Sequence, residues 1–224
     1  MSDEPAPPKK KRGFLHQLAE LPMLIVFAFL IAIVIKTFIV QAFFIPSGSM
    51  VPSLRVGDRV LVEKLSYRLH DPRRNDVVVF ARDVFGPQPD LPWPEDVRNF
   101  LRELVGLPTG SEEDFIKRVV AVGGDTIRYE GSPRKLFVNE ERVDQSFIAN
   151  GSDSSSPSLT EKDCRRLQMQ PEGRGCRVPA GRIFVMGDNR SNSQDSRFLG
   201  PIEEEKIIGR AFVILWPLEN FGSL

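Results

Sequence analysis

Phe115-Ile116-Lys117-Arg118-Val119-Val120-Ala121-Val122 decides how this chain is read. Eight residues rich in β-branched and aromatic side chains end at Gly123-Gly124-Asp125, which is a strand followed by a turn. In a strand alternate residues share a face, so Lys117 lines up with Phe115, Val119 and Ala121 while Arg118 points away. A lysine on an apolar face has two readings. It is an edge-strand charge that discourages aggregation, or it is an amine kept out of water so that its ionisation changes. Periodicity alone leaves both open.

Similar runs lie on either side. Gln41 to Ile45, Asp58 to Lys64 and Asp76 to Phe80 precede it; Thr126 to Tyr129, Lys135 to Asn139, Arg182 to Met186 and Ile207 to Trp216 follow. Gly, Pro, Asn and Asp bound them, and no repeat period is visible. The pattern predicts a mostly β, antiparallel sheet or barrel-like core. Two polar segments interrupt it. Residues 84–113 form a Pro-rich insertion with a short helix expected at Glu95 to Val105, and residues 150–177 form a polar loop or small lobe. Within the latter, Thr160-Glu161-Lys162-Asp163 has the pattern that caps a helical turn. Neither segment carries a hydrophobic run adequate for its own core.

Ahead of the β region, Leu21 to Ile35 is apolar and uncharged. Extended from 18 to 40, it reaches the roughly 20 residues that a bilayer requires. Lys36 sits where a lysine can snorkel to headgroups. Lys9, Lys10, Lys11 and Arg12 precede the span, which predicts a cytoplasmic tail (1–17), one transmembrane helix (18–40) and an extracytoplasmic domain (41–224). A cleaved signal sequence is disfavoured, because bulky Gln41-Ala42-Phe43-Phe44-Ile45 replaces the small residues of a cleavage site. Thirty basic and thirty acidic residues cancel, so no global field favours nucleic acid. The two cysteines, Cys164 and Cys176, lie beyond the span, where a disulfide or two free thiols are both consistent readings. With two histidines in the chain, a zinc site lacks ligands.

Pro46-Ser47-Gly48-Ser49-Met50-Val51-Pro52-Ser53-Leu54 follows the span closely. A hydroxyl in such a turn becomes a nucleophile only with a base. Histidine is the usual base, yet His16 lies on the cytoplasmic side of the predicted span and His70 in a polar Leu-His-Asp-Pro turn. That leaves lysine, whose pKa of roughly 10.4 must fall through burial before it can serve. Lys117 is the clearest instance; Lys64, beside Glu63 and Ser66, is a weaker one. The dense polar run from Gly187 to Arg197 is either a solvated loop or a support folded inward.

Taken together these blocks resemble the bacterial type I signal peptidases (leader peptidases), membrane-anchored Ser-Lys proteases of exported proteins. The resemblance rests on four blocks in order. They are Pro46-Ser47-Gly48-Ser49-Met50-x-Pro52; Gly57 to Val62 with Asp76 to Phe80; Ile116-Lys117-Arg118-Val119-x-Ala121; and Gly187-Asp188-Asn189-Arg190-x-x-Ser193-x-Asp195-Ser196-Arg197. It implies Ser49 as nucleophile and Lys117 as general base. Ser47, with the Ser49 N–H, would form the oxyanion hole, and Ser193 would orient the lysine. Asp195 and Arg197 would be a supporting ion pair, and Ile45, Met50, Leu54, Phe115 and Ile116 an apolar lining selecting small residues in Ala-x-Ala type sites. It also implies a location in the inner (cytoplasmic) membrane, no cofactor or metal, and as partners the signal peptides of preproteins, membrane lipid and the secretion translocon. Gln41-Ala42 and Ser53 depart from the acidic-Pro pair and the Thr found in many members, at positions without chemistry. A self-cleaving Ser-Lys repressor-type protease is disfavoured by the anchor. An inactive binding domain is disfavoured by the complete Ser49, Lys117, Ser193 set.

Overall fold

The computed structural model describes residues 14–81, 114–131, 134–148, 156 and 159–224; within the first helix, side chains are described for 22–33 and 35. The basic cluster at 9–12, the Pro-rich insertion with its expected helix, and residues 150–155 and 157–158 of the polar segment lie outside them. Contacts divide the chain after Phe38.

The first unit contains helix α1 (Phe14–Phe38). Met23, Leu24, Ile25, Val26 and Phe27 on it are each more than half exposed. Among the described residues no helix is long and apolar enough to cross a membrane. The described apolar side chains, 22–33 and 35, fall short of the roughly 20 residues a span needs.

The second unit begins with β1 (Val40–Phe44), β2 (Arg59–Glu63), the one-turn helix α2 (Ser66–Leu69), β3 (Val77–Ala81) and β4 (Asp114–Ala121). The chain then builds a second sheet from β5 (Thr126–Glu130), β6 (Lys135–Val138), β7 (Glu141–Arg142), helix α3 (Glu161–Arg166), β8 (Gln170–Glu172) and β9 (Gly175–Arg177). It returns with β10 (Arg182–Met186), α4 (Ser196–Leu199), β11 (Ile202–Glu203), β12 (Ile207–Trp216) and β13 (Gly222–Ser223). The larger sheet runs β1-β2-β12-β3-β4-β10-β11 with β13 beside β12, and the smaller runs β7-β6-β5-β9-β8. Their pairings are antiparallel. The β class predicted from the sequence is therefore observed, as two open ladders in place of a single barrel.

The unbroken apolar run Val77-Val78-Val79-Phe80 shows why β3 and β4 are central. Val77, Val79 and Ile116 join one core with Ile45, Met50, Leu54, Val60 and Val62. Val78, Phe80 and Val119 join another with Ile183 and Val185. A strand buried on both faces reads as continuous rather than alternating hydrophobicity. β4 is not an edge strand; β3 lies on one side and β10 on the other.

One expectation about β4 changes. The register shifts between Phe184 and Val185, so Val185 pairs with Val119 but Phe184 pairs with Ala121. That irregularity sends Val120 and Ala121 into a third core with Ile127, Leu136 and Phe184, away from Val119. Arg118, which alternation sets on the other face from Lys117, finds a partner there. It is buried, and its guanidinium binds Asp188 (Nε–Oδ1 3.0 Å, Nη2–Oδ2 2.8 Å) and the carbonyl of Asn75 at 3.1 Å.

From residue 159 on, the polar segment is a packed lobe, not an exposed loop. Thr160 caps α3 by accepting from the Asp163 N–H at 3.3 Å, while the Asp163 carboxylate accepts from the Thr160 N–H at 3.0 Å. Cys164 and Cys176 are joined in a disulfide with Cα atoms 5.3 Å apart. Both are buried with Leu159, Leu167 and Met169 in the core that also holds Ile127 and Leu136. The segment needs no hydrophobic run of its own because it shares that of β5, β6 and β10.

Candidate active site

Ser49 sits in a single tight turn, Gly48–Met50, directly after β1. The turn is anchored by Ile45, Met50 and Leu54, each almost fully buried, and Leu54 N–H donates to Met50 O at 2.9 Å. These contacts fix where the Ser49 side chain can go. Ser49 is itself 8% exposed.

Lys117 enters from the middle of β4, opposite Val78 of β3, and is 2% exposed. Its Nζ lies 2.8 Å from Ser49 Oγ and donates to Ile116 O at 2.9 Å. The amine also stands 5.3 Å from the centre of the Phe115 ring, consistent with a shared face. Burial disfavours the charged form and lowers the Lys117 pKa from 10.5 to about 8. The carboxylates of Asp195 and Asp188 oppose that fall, and Arg197 assists it. At pH 7 roughly one such amine in ten is neutral, against about one in three thousand at the ordinary value. A neutral amine in hydrogen-bond reach of a hydroxyl can take its proton, the step that turns a serine into a nucleophile.

Ser47 Oγ is 3.5 Å from Ser49 Oγ, and its side chain does not cap the turn. Ser47 is exposed, so its hydroxyl is available to a bound molecule.

The Gly187–Arg197 run folds inward. Asp195 and Arg197 form a bidentate pair without solvent exposure (Nε–Oδ1 2.8 Å, Nη2–Oδ2 2.8 Å). Asp195 also accepts from the Gly187 N–H at 3.0 Å, and Arg197 Nη1 donates to Ser156 Oγ at 3.0 Å. A buried charge pair persists only when its remaining donors and acceptors are met, and these are. Gly187 is thereby pressed against the site: an added Cβ there would overlap Ser193 Oγ and come to 2.5 Å from Ser49 O.

The structure brings Ser49, Lys117 and Ser47 together, with Asp195 and Arg197 behind. The hydrogen bond expected from Ser193 to the Lys117 amine is not made; Ser193 Oγ is buried beside Gly187 and has no hydrogen-bond partner among the described residues. The amine instead uses Ser49 Oγ and Ile116 O. Of the expected apolar lining, Ile45, Met50, Leu54 and Ile116 share one core, whereas Phe115 packs with the core of Val78 and Phe80. Met50 and Leu54 are fully buried, which makes them the foundation of the turn.

Sequence reasoning missed three partners. Asp188 holds Arg118, Arg118 Nη2 reaches Ser53 Oγ at 3.3 Å, and Asn189 binds the backbone of the Ser49 turn. A polar run after an apolar strand was the available signal, but nothing in it distinguishes which polar residue turns inward.

Over residues 18–216 the chain matches the family described as "Signal peptidase, peptidase S26". It is 36% identical over 205 residues to the "Probable signal peptidase I-2" of Synechocystis sp., covering 92% of this chain and 76% of that protein. It is 35% identical over 194 residues to the signal peptidase I of Leptolyngbya laminosa, covering 87% and 77% respectively. With the signal peptidase I of Mycobacterium tuberculosis the identity is 32% over 246 residues, covering 99% of this chain and 78% of that one. The chain belongs to the peptidase S26 family of signal peptidases and is a serine endopeptidase.

Proposed function

We propose that the protein is a membrane-anchored signal peptidase that removes signal peptides from exported preproteins after Ala-x-Ala type sites, with Ser49 as nucleophile and Lys117 as general base. The observation that carries this reading is the buried Lys117 amine 2.8 Å from Ser49 Oγ. Neutral Lys117 takes the Ser49 proton as Oγ attacks the scissile carbonyl. The developing oxyanion is held by the Ser49 N–H and the Ser47 hydroxyl, donors already in place before the charge forms. The lysine ammonium then protonates the departing amine, and the C–N bond breaks to leave an acyl-Ser49 ester. A water molecule then gives a proton to neutral Lys117 as its oxygen attacks the ester, and the ammonium returns that proton to Ser49 Oγ as the C–O bond breaks and the peptide acid leaves.

Ser193 is a positioning residue in this scheme, acting through its contact with Gly187. Asp195 and Arg197 maintain the loop that carries both. Ile45 and Ile116 form the floor that restricts the adjacent subsites to small side chains, while Phe115 lies against the amine and keeps water from it.

Helix α1 is read as a single anchor with a cytoplasmic N-terminus, in the inner membrane of a bacterium. Its 25 residues are about 37 Å long at 1.5 Å per residue, more than the roughly 30 Å hydrocarbon core. The uncharged Leu21–Ile35 run and the preceding Lys9–Arg12 cluster support the span and its direction. A disulfide in the β domain suits an oxidising compartment. Preprotein signal peptides and membrane lipid are then the partners, with the secretion translocon adjacent.

The test is cleavage of a preprotein by the full chain in membranes, with Ser49→Ala and Lys117→Met alongside. Loss of processing in both variants is expected; processing retained by both overturns the assignment.

A further inference from the structure

The turn that carries Ser49 begins with glycine, and this creates a problem that the remainder of the fold answers. A peptide unit is planar and trans, so the carbonyl of Gly48 and the N–H of Ser49 point in opposite directions as one rigid body. Whatever holds Gly48 O also aims the Ser49 N–H. Glycine resists rotation of its flanking peptide less than any other residue. If the Gly48–Ser49 peptide flipped, the N–H would leave the site and a carbonyl oxygen would face the developing negative charge.

Gly48 O accepts two hydrogen bonds. One comes from Val51 N–H at 3.2 Å, inside the turn. The other comes from Asn189 Nδ2 at 3.1 Å, across the molecule from the loop after β10. The main-chain N–H of Asn189 also donates to Ser49 O at 2.9 Å. One residue therefore grips the peptide units on both sides of the Ser49 Cα. Its amide is itself oriented, because Ser191 Oγ donates to Asn189 Oδ1 at 3.3 Å and leaves Nδ2 toward Gly48. Asn189 is also firmly mounted: Asp188 before it is locked by Arg118, and Gly187 by Asp195.

We propose that Asn189 is a positioning residue for the oxyanion hole, which fixes the direction of the Ser49 N–H and polarises it by binding the carbonyl of the same peptide unit. Hydrogen-bonded amides strengthen one another when linked in this way. Asn189 touches neither substrate nor the reacting atoms. The inference rests on the reading of Ser49 as the nucleophile.

The test uses the full chain with a fluorogenic signal-peptide substrate and a peptide aldehyde, whose hemiacetal oxygen occupies the oxyanion position. Asn189→Ala keeps the backbone bond to Ser49 O and loses the side-chain bond. It should lower kcat about tenfold, the value of one neutral hydrogen bond, well short of the roughly hundredfold or greater loss from deleting an oxyanion donor outright. KM and the midpoint of the acid limb should stay unchanged, since Lys117 is untouched. Aldehyde affinity should fall by the same factor as kcat. Asn189→Asp keeps the shape but sets an oxygen against Gly48 O. Measured on its own alkaline plateau, it should be at least as slow as the alanine variant, whereas a space-filling role would leave it near wild type. If Asn189→Ala fails to fold, Asn189→Asp gives the same two readings.

A wild-type kcat, a loss confined to KM, or unchanged aldehyde affinity overturns the proposal. Ser49→Ala separates the two layers. If it still cleaves, the reading of Ser49 fails. If it is inactive while Asn189→Ala matches wild type, only the role of Asn189 fails.

Discussion

Replacing Lys117 by methionine should abolish cleavage and at the same time make the protein harder to unfold. The lysine is held where its charged form is poorly solvated, and its pKa falls from 10.5 to about 8. At about 1.4 kcal/mol for each tenfold change in proton affinity, the folded state carries a penalty of about 3 kcal/mol wherever both states are protonated. Methionine has similar volume and no charge. It forfeits the bond to Ile116 O, at about 1 kcal/mol, while the Ser49 hydroxyl is free to rotate. A net gain of about 2 kcal/mol is expected, or roughly 4–8 °C in Tm for a domain of this size. The pH dependence carries the sign. Between pH 8 and 10.5 the unfolded lysine binds a proton that the folded one has released, so wild-type stability rises with pH. The advantage of Lys117→Met is therefore full below pH 8 and fades across that interval. Calorimetry of both proteins in the same detergent at pH 6, 9 and 10.5 reads it directly. A variant no more stable than wild type at pH 6, or a difference that does not shrink above pH 8, would refute a desolvated amine.

Other perturbations follow from the same geometry. Gly187→Ala drives a methyl group into Ser193 and the carbonyl of Ser49, so cleavage should be lost together with roughly 1–3 kcal/mol of stability in urea titration. Asp188→Asn removes a carboxylate that favours charged Lys117, so the acid limb of kcat/KM, which lies below about pH 8 in the wild type, should move to lower pH. Asp195→Ala removes the carboxylate that binds the fully buried Arg197 through two hydrogen bonds and should cost roughly 3–5 kcal/mol by chemical denaturation. Replacing Cys164 and Cys176 together by alanine opens a loop of sequence separation 12 and should lower stability by roughly 3 kcal/mol, measured by the denaturant midpoint.

How much of this was legible depends on the kind of contact. Strands such as β3 and β4 were readable because burial on two faces leaves a continuous β-branched run. Lys117 stood out because a charge in such a run needs a reason. Ala121 was misplaced because the register shift that turns it into the other core depends on the partner strand β10, not on its own neighbours. Alternation set Arg118 on the face away from Lys117 but could not foresee the buried carboxylate, Asp188, that holds it there. The segment around Cys164 was legible only as a polar loop or small lobe, because its core is borrowed from β5, β6 and β10. Asn189 was invisible as an individual residue. It acts on backbone carbonyls, and these leave no mark in a side-chain pattern.

The central claim is that Ser49 is activated by Lys117. Mass mapping of the full chain after exposure to an acylating peptide inhibitor tests it most directly. The account predicts one adduct, on Ser49, formed faster as pH rises toward 8 and absent in Lys117→Met. An adduct elsewhere, or equal labelling of Ser49 with and without the lysine, would contradict it.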